Sequence, residues 1–270
     1  MNFKALKMDG LGNDFLIIDK RKFDINLAQD QIKKLSDRNM GIGFDQLISI
    51  EKSNSANAEI KYFNSDGKFA NACGNGNRCV TDILLKETGN SVVKFKVGSF
   101  LHEGKKISDK MIQVSMPQPV QSLEKIPVTN EVKENPVKIK ILEDEYLGHL
   151  VNVGNPHIVI FEKISVEKIK NVGPMIENFK YFPDRVNVTF ADIKDNENIS
   201  VNVWERGAGK TLACGTAACA TAFIAITKGL TKNPTKIHFD QGYLDIGIKE
   251  DKTLVMTGPI SDQKEIEVQI

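Results

Sequence analysis

The sequence predicts an α+β protein of two pseudo-symmetric domains that arise from an internal duplication. Each is expected to be a mainly antiparallel sheet wrapped around a central helix, with the active site in the cleft between them. Three observations predict this. The chain matches itself at a spacing near 141 residues, it consists mostly of short alternating segments, and it carries two helix-like apolar segments that begin beside cysteines.

The self-match comes first. At an offset of 141, Cys73 falls on Cys214, Asn64 on Glu205 and Gln46 on Asn187. The paired polar residues stand 9 and 27 residues before their cysteines in both copies. At an offset of 142, Leu11-Gly12-Asn13-Asp14-Phe15 meets Val153-Gly154-Asn155-Pro156-His157, and Val114-Ser115-Met116-Pro117 meets Met256-Thr257-Gly258-Pro259. Matches in register at so long a period indicate a duplicated domain, since solenoid repeats recur every 20–50 residues. The expected domains are 1–118 and 119–260, with the tail 261–270 packing back on the first. Residues 117–136, with Pro117, Pro119, Pro127 and Pro136, read as a linker.

Within the first copy, 14–19, 46–51, 58–63, 92–97 and 111–116 read as strands. In the second, 199–204 and 243–248 alternate apolar and polar, the pattern of a half-buried strand. An amphipathic helix is expected over 27–39, capped by Asn26 and ended by Gly41. Its counterpart over 166–178 should be broken at Gly173-Pro174. Residues 80–86 and 217–228 are different: the second is Ala-rich, apolar on nearly every face, and stops at Gly229. A helix apolar all round is a buried one. Each of these central helices should start at or near its cysteine.

Composition narrows the function. The 270 residues carry a net charge of +1, which leaves no electrostatic footprint for nucleic acid. No apolar run approaches the ~18 residues of a membrane span, and the first residues lack the apolar core of a signal peptide. A cytoplasmic location with no membrane partner is expected, and in a reducing compartment disulfides are not the default for Cys73, Cys79, Cys214 and Cys219.

A single buried cysteine is ordinarily core filling, and Cys79 and Cys219 read that way. Cys73 and Cys214 differ. Each is followed by glycine, in Cys-Gly-Asn-Gly and Cys-Gly-Thr-Ala, and each occupies the duplicated position. A helix start offers free N–H groups and partial positive charge. Both favour a thiolate below its ordinary pKa of ~8.5 and form a cradle for a carboxylate. Two such ends in a cleft would place a base and an acid on opposite faces of one carbon, the arrangement that inverts a stereocentre. Zinc fits poorly, because the spacers between paired cysteines are five and four residues and no paired His accompanies them. Gly74-Asn75-Gly76 falls short of a dinucleotide fingerprint. No cofactor and no metal are expected.

Taken together, Gly10-Leu11-Gly12-Asn13-Asp14-Phe15, Gly43-Phe44-Asp45-Gln46, Ala72-Cys73-Gly74-Asn75-Gly76, Gly154-Asn155-Pro156-His157, Glu205-Arg206-Gly207-Ala208-Gly209 and Ala213-Cys214-Gly215-Thr216 resemble diaminopimelate epimerases, in the family's order along nearly the whole chain. The resemblance implies interconversion of LL- and meso-diaminopimelate without a cofactor, in lysine and cell-wall precursor synthesis. It implies Cys73 and Cys214 as the acid/base pair, with Gly74, Asn75, Gly215 and Thr216 on the reacting carboxylate. Glu205 would hold the reacting ammonium, with His157 in support, and Asn13, Gln46, Asn64, Asn155, Asn187 and Arg206 would line the site. Arg suits a carboxylate through its two-pronged donor geometry.

The chain departs from the family pattern at Asp9, where His is usual, at Lys210, where Glu is usual, and at Ser65 and Ala217. The charge changes bear on affinity and pH dependence rather than on reaction type. A homodimer is the assembly the family suggests, but the Tyr associated with that contact is absent around Lys264. His102, His149 and His238 fit no motif. The alternatives are an epimerase of the same fold acting on proline or hydroxyproline, a non-catalytic amino-acid-binding protein, and a thiol redox or zinc protein.

Overall fold

A computed structural model describes residues 2–23, 25–70 and 73–269, so Ala72 of the first cysteine motif lies outside the described residues. The chain forms two units, Met1–Ser115 with Thr257–Ile270, and Met116–Met256. Among the described residues no helix is long and apolar enough to cross a membrane.

In the first unit β1 (Asn2–Gly10) and β2 (Asn13–Asp19) form an antiparallel hairpin. Its two-residue turn has positive φ at both Leu11 (59°) and Gly12 (78°), the backbone twist that suits such a hairpin. α1 (Gln29–Ser36) leads to β3 (Gln46–Glu51), which runs parallel to β2, and β4 (Ala58–Asn64) pairs antiparallel with β3. The short β5 (Phe69–Ala70) folds back on β4 just before α2 (Gly74–Thr88). Then β6 (Val92–Val97) joins β4 in parallel, and β7 (Phe100–Ser108) and β8 (Met111–Met116) continue antiparallel.

The second unit repeats the plan. β9 (Val137–Ile141), β10 (Asp144–Asn152) and β11 (Pro156–Ile160) are antiparallel. After α3 (Val166–Glu177), β12 (Asn187–Ile193) runs parallel to β11, β13 (Asn198–Glu205) pairs antiparallel with β12, and β14 (Gly209–Lys210) folds back on β13. α4 (Gly215–Thr227) follows, then β15 (Thr235–Phe239), parallel to β13, and β16 (Gly242–Ile248). The registers coincide as well as the order. Phe15 opposes Gln46 where His157 opposes Asn187, and Val97 opposes Phe100 where Phe239 opposes Gly242. The duplication therefore extends to strand registers.

One strand breaks the parallel between the copies. β9 immediately precedes its partner β10. The strand in the same place beside β1 is β18 (Lys264–Gln269), reached at the chain's end after β17 (Leu254–Pro259).

Each unit surrounds a buried helix. Every residue from Gly74 to Leu85 of α2 is buried, and α2 packs on β1, β6 and β7. In α4 ten of the thirteen residues are buried, against β10, β11, β12, β15 and β16. α1 and α3 bury only one stripe. α1 contributes Ile32 and Leu35 to a cluster with Leu16, Phe44 and Val268. α3 contributes Ile169, Val172 and Ile176 to a cluster with Ile158, Val188 and Phe190.

Three local expectations fail. α1 begins two residues later than expected, behind Ala28, and ends at Ser36; Asn26 accepts from Lys20 instead of capping the helix. The Gln31 side chain takes the Ala28 N–H in its place (2.8 Å). α3 runs through Gly173-Pro174, because Gly173 sits against the Trp204 indole, where a Cβ would lie 2.8 Å from Cγ, and Ser165 caps the start. The segment 117–136 is no linker: Ile126 and Val132 are core residues of the second unit and Val120 bridges Asn152.

Candidate active site

Both expected helix starts are present. Cys73 is the N-cap of α2 and Cys214 the N-cap of α4, each with extended backbone (φ −147° and −135°). Extended φ/ψ at an N-cap aims the side chain at the free N–H groups of the first turn. At Cys73 the sulfur accepts from the Gly76 N–H at 3.4 Å, and its thiol donates to Asn13 Oδ1 at 3.6 Å.

Asn13 leaves the β1–β2 turn with its own amide donating to Asp45 Oδ2 (3.1 Å). Asp45 also takes the Asp14 N–H, and Arg38 clamps both Asp14 (2.7 Å) and Asp45 (2.8 Å). Gln46 and Asn64 face each other across β3 and β4, and Gln46 Nε2 donates to Asn64 Oδ1 at 3.0 Å. The Gln46 Oε1 atom is buried with no hydrogen-bond partner among the described residues, so it is an acceptor held ready. Gly74 and Asn75 form the first turn of α2 and are buried.

Gly76 is a packing requirement here. A Cβ on it would lie 2.7 Å from Tyr62 Cε1 and 2.9 Å from Ile48 Cδ1. Tyr62 in turn donates to Asn77 Oδ1 (2.5 Å), Asn77 Nδ2 reaches His102 (3.4 Å), and His102 Nδ1 meets the Ser115 carbonyl (2.7 Å). Burial outweighs that last bond and lowers the His102 pKa to about 4. This neutral network anchors the start of α2. The sequence offers no motif for it, because the register positions of Tyr62, Asn77 and His102 in the second copy hold Val203, Ala218 and Leu244.

The second half-site is wired differently. Cys214 Sγ lies 3.4 Å from Thr216 Oγ1, which accepts from Asn155 Nδ2 (3.4 Å). Asn155 Oδ1 is 2.9 Å from His157 Nε2. With its amide nitrogen spent on Thr216, Asn155 presents only an acceptor to the imidazole, so Nε2 carries the proton. Burial, reinforced by the Arg206 charge, lowers the His157 pKa to about 3, and the neutral ring keeps a buried Nδ1 with no hydrogen-bond partner among the described residues. His157 is thus joined to the thiol by three links, through Asn155 and Thr216.

Glu205 ends β13 beside Cys214. Burial raises its carboxyl above the usual range, with the Thr211 hydroxyl and the Cys214 thiol acting in the opposite sense. Burial and then the Glu205 carboxylate push the Cys214 thiol well above its ordinary value, against smaller opposing contributions from the Thr216 hydroxyl and Ala217 N–H. The expectation that a helix start lowers the thiol pKa therefore fails at Cys214: desolvation and a neighbouring anion outweigh one helix end.

Asn187 and Arg206 are occupied with the local backbone. Asn187 donates to the Pro156 carbonyl (2.9 Å) and accepts the Arg206 N–H (3.0 Å), while Arg206 Nη1 donates to the Asp184 carbonyl (3.0 Å). Buried Glu177 accepts from Trp204 Nε1 (2.7 Å) and the Gly207 N–H (2.8 Å), holding the turn after Glu205. Lys210 bonds the Thr211 carbonyl, and Asp9 the Gly12 N–H and, through its own N–H, Ser261. All four cysteines are free thiols. Among the described residues no three His, Cys, Asp or Glu side chains are grouped so as to hold a metal ion.

Comparison with known proteins agrees with the motif reading. The family model for diaminopimelate epimerase matches residues 5–121 and 149–262. The diaminopimelate epimerase of Pelagibacter ubique is 44% identical over the full length of both chains, and that of Leptospira biflexa 38%, again over both full lengths. Among solved structures, a hydroxyproline epimerase from Agrobacterium vitis superposes with a TM-score of 0.71 over 99% of this chain and 91% of its own, at 13% identity. That last likeness is one of fold alone. On the family model and the full-length relatives, the chain belongs to the diaminopimelate epimerase family.

Proposed function

We propose that the protein epimerises LL-diaminopimelate to meso-diaminopimelate by a two-thiol acid/base mechanism that uses no cofactor, a step of lysine and peptidoglycan precursor synthesis. The observation that carries the reading is the pair of cysteines at equivalent N-caps of equivalent buried helices, set in opposite surroundings.

In this reading Cys214, whose thiol is held protonated by burial and Glu205, enters as the acid. Cys73, as thiolate, takes the α-hydrogen. The C–H electron pair moves into the α-carboxylate, whose growing charge the free N–H groups of the first turns stabilise. The Cys214 S–H bond then breaks and its proton goes to the opposite face of the carbon. The centre is inverted, with Cys73 now the thiol and Cys214 the thiolate; the reverse direction exchanges the roles. Gly74, Asn75, Gly215 and Thr216 are proposed to hold the reacting carboxylate, and Glu205 the ammonium beside it. His157 orients Asn155 and, through it, Thr216. Asn13, Gln46, Asn64, Asn155, Asn187 and Arg206 are assigned to the rest of the substrate; Arg206 keeps guanidinium donors beyond the one spent on the Asp184 carbonyl. A cytoplasmic location and a homodimer go with this reading, checked by fractionation and light scattering.

The test is turnover in D2O containing EDTA, with LL-diaminopimelate and, separately, L-proline. Deuterium at the α-carbon of meso-diaminopimelate, with no exchange into proline, is expected. Absence of exchange with diaminopimelate, or loss of turnover to the chelator, would refute it.

A further inference from the structure

Arg78 is the largest wholly buried side chain among the described residues, at 0% exposure. It lies on α2, one turn beyond Asn75 and five residues after Cys73. Its Nη1 donates to Asn75 Oδ1 at 3.0 Å, and its Nε to the Pro259 carbonyl at 3.3 Å. β1 makes room for this arrangement: a Cβ on Gly10 would lie 3.2 Å from Arg78 Nη2 and 3.1 Å from the Asn75 carbonyl. In the second copy the corresponding residue is Cys219, and the counterpart of Asn75, Thr216, is held by Asn155 instead.

A guanidinium has donors and no acceptor. Whatever faces it must be an acceptor, so the Asn75 amide is locked with Oδ1 inward. Its Nδ2, which donates to no group among the described residues, is the atom left for a ligand. A carboxylate is an acceptor-only ligand and requires a donor there. Without the lock the amide could present Oδ1 to the carboxylate, which is repulsive. We propose that Arg78 is a positioning residue of the reaction: it holds Asn75 so that the amide nitrogen meets the substrate's α-carboxylate. This rests on the assignment of Asn75 to that carboxylate made above.

The test is a double-mutant cycle on the full chain with LL-diaminopimelate: Arg78→Met, Arg78→Lys, Asn75→Leu and Arg78→Met/Asn75→Leu, with melting curves alongside. A hydrogen bond to a charged group is lost, so KM should rise on the order of tenfold in Arg78→Met, and kcat should fall as well because the carboxylate gains charge as the C–H bond breaks. Arg78→Lys, which keeps a donor, should recover part of the loss. The double variant should be no worse than Asn75→Leu, because the lock has nothing left to orient. Multiplying KM effects, or a wild-type KM in Arg78→Met, would overturn the proposal while leaving the Asn75 assignment in place. A wild-type KM in Asn75→Leu would overturn both. If Arg78→Met does not fold, the same cycle run with Arg78→Lys decides by the same criterion.

Discussion

Cys73 and Cys214 occupy the same place in two copies of one fold, yet their hydrogen-bond partners and burial differ. Cys73 is partly exposed, accepts an N–H from its own helix and meets Asn13 directly. Cys214 is buried, meets Thr216, and is linked through it to Asn155 and His157. Nine residues upstream the first thiol has neutral Asn64 and the second has Glu205. Duplication thus supplied the position of each thiol, and divergence of the neighbours supplied the Glu205 carboxylate that, together with burial, raises the Cys214 pKa. In the proposed mechanism that rise gives Cys214 its starting role as the acid.

The largest effect should come from removing either thiol. Cys73→Ala and Cys214→Ala are each expected to lower epimerisation by at least ~10³-fold, with circular dichroism unchanged. Retention of wild-type turnover by either would break the pairing.

Next is the charge that separates the two surroundings. Glu205→Gln should slow turnover by roughly 10²-fold, since a group assigned to the substrate ammonium and a neighbour of the acid are lost together. The converse change, Asn64→Glu, makes the first surroundings resemble the second and should also slow turnover, by roughly tenfold, because it places a like charge near the base.

Packing gives a smaller effect. Gly76→Ala forces a methyl against Tyr62 and Ile48 and should cost about 1–3 kcal/mol in urea unfolding. The equivalent residue of the second copy is already Ala217, wholly buried. There the reverse change, Ala217→Gly, should cost about 1 kcal/mol from helix propensity.

His102 and His157, two of the three histidines buried among the described residues, should act alike on acid stability. Their folded pKa values, about 4 for His102 and about 3 for His157, lie below the unfolded value near 6.5. Below pH 6.5 the unfolded chain therefore binds protons that the folded chain refuses. Stability should fall as pH drops from 6.5 and level off near 4 for His102 and near 3 for His157. Replacing His102 with Gln should flatten that slope in urea titrations between pH 7 and 4.5; an unchanged slope would contradict its burial as the neutral form.

Much of this was legible in the sequence because the duplication reports on itself. Two cysteines that would singly pass for core filling became informative through their shared register, and α4 declared itself by being apolar on nearly every face. Legibility failed where a residue's role depends on tertiary neighbours. Asn26 looks like a cap, but Gln31 reaches the helix start instead. Pro174 looks like a break, but the helix packed on Trp204 runs through it. Arg78 stands two residues beyond the first cysteine motif, and nothing in its spacing says that an arginine there is wholly buried. The rise in the Cys214 pKa was hidden for the same reason: the helix start was readable, but the burial that outweighs it was not.

The difference between the thiols is tested most directly by the pH dependence of alkylation at Cys214, followed by mass spectrometry in the wild type and in Glu205→Gln. Absolute rates report access, while the midpoint on the pH axis reports ionisation. The midpoint for Cys214 should lie well above the ordinary thiol range and fall when the Glu205 charge is removed. A midpoint within that range in the wild type, or one indifferent to Glu205, would contradict the account.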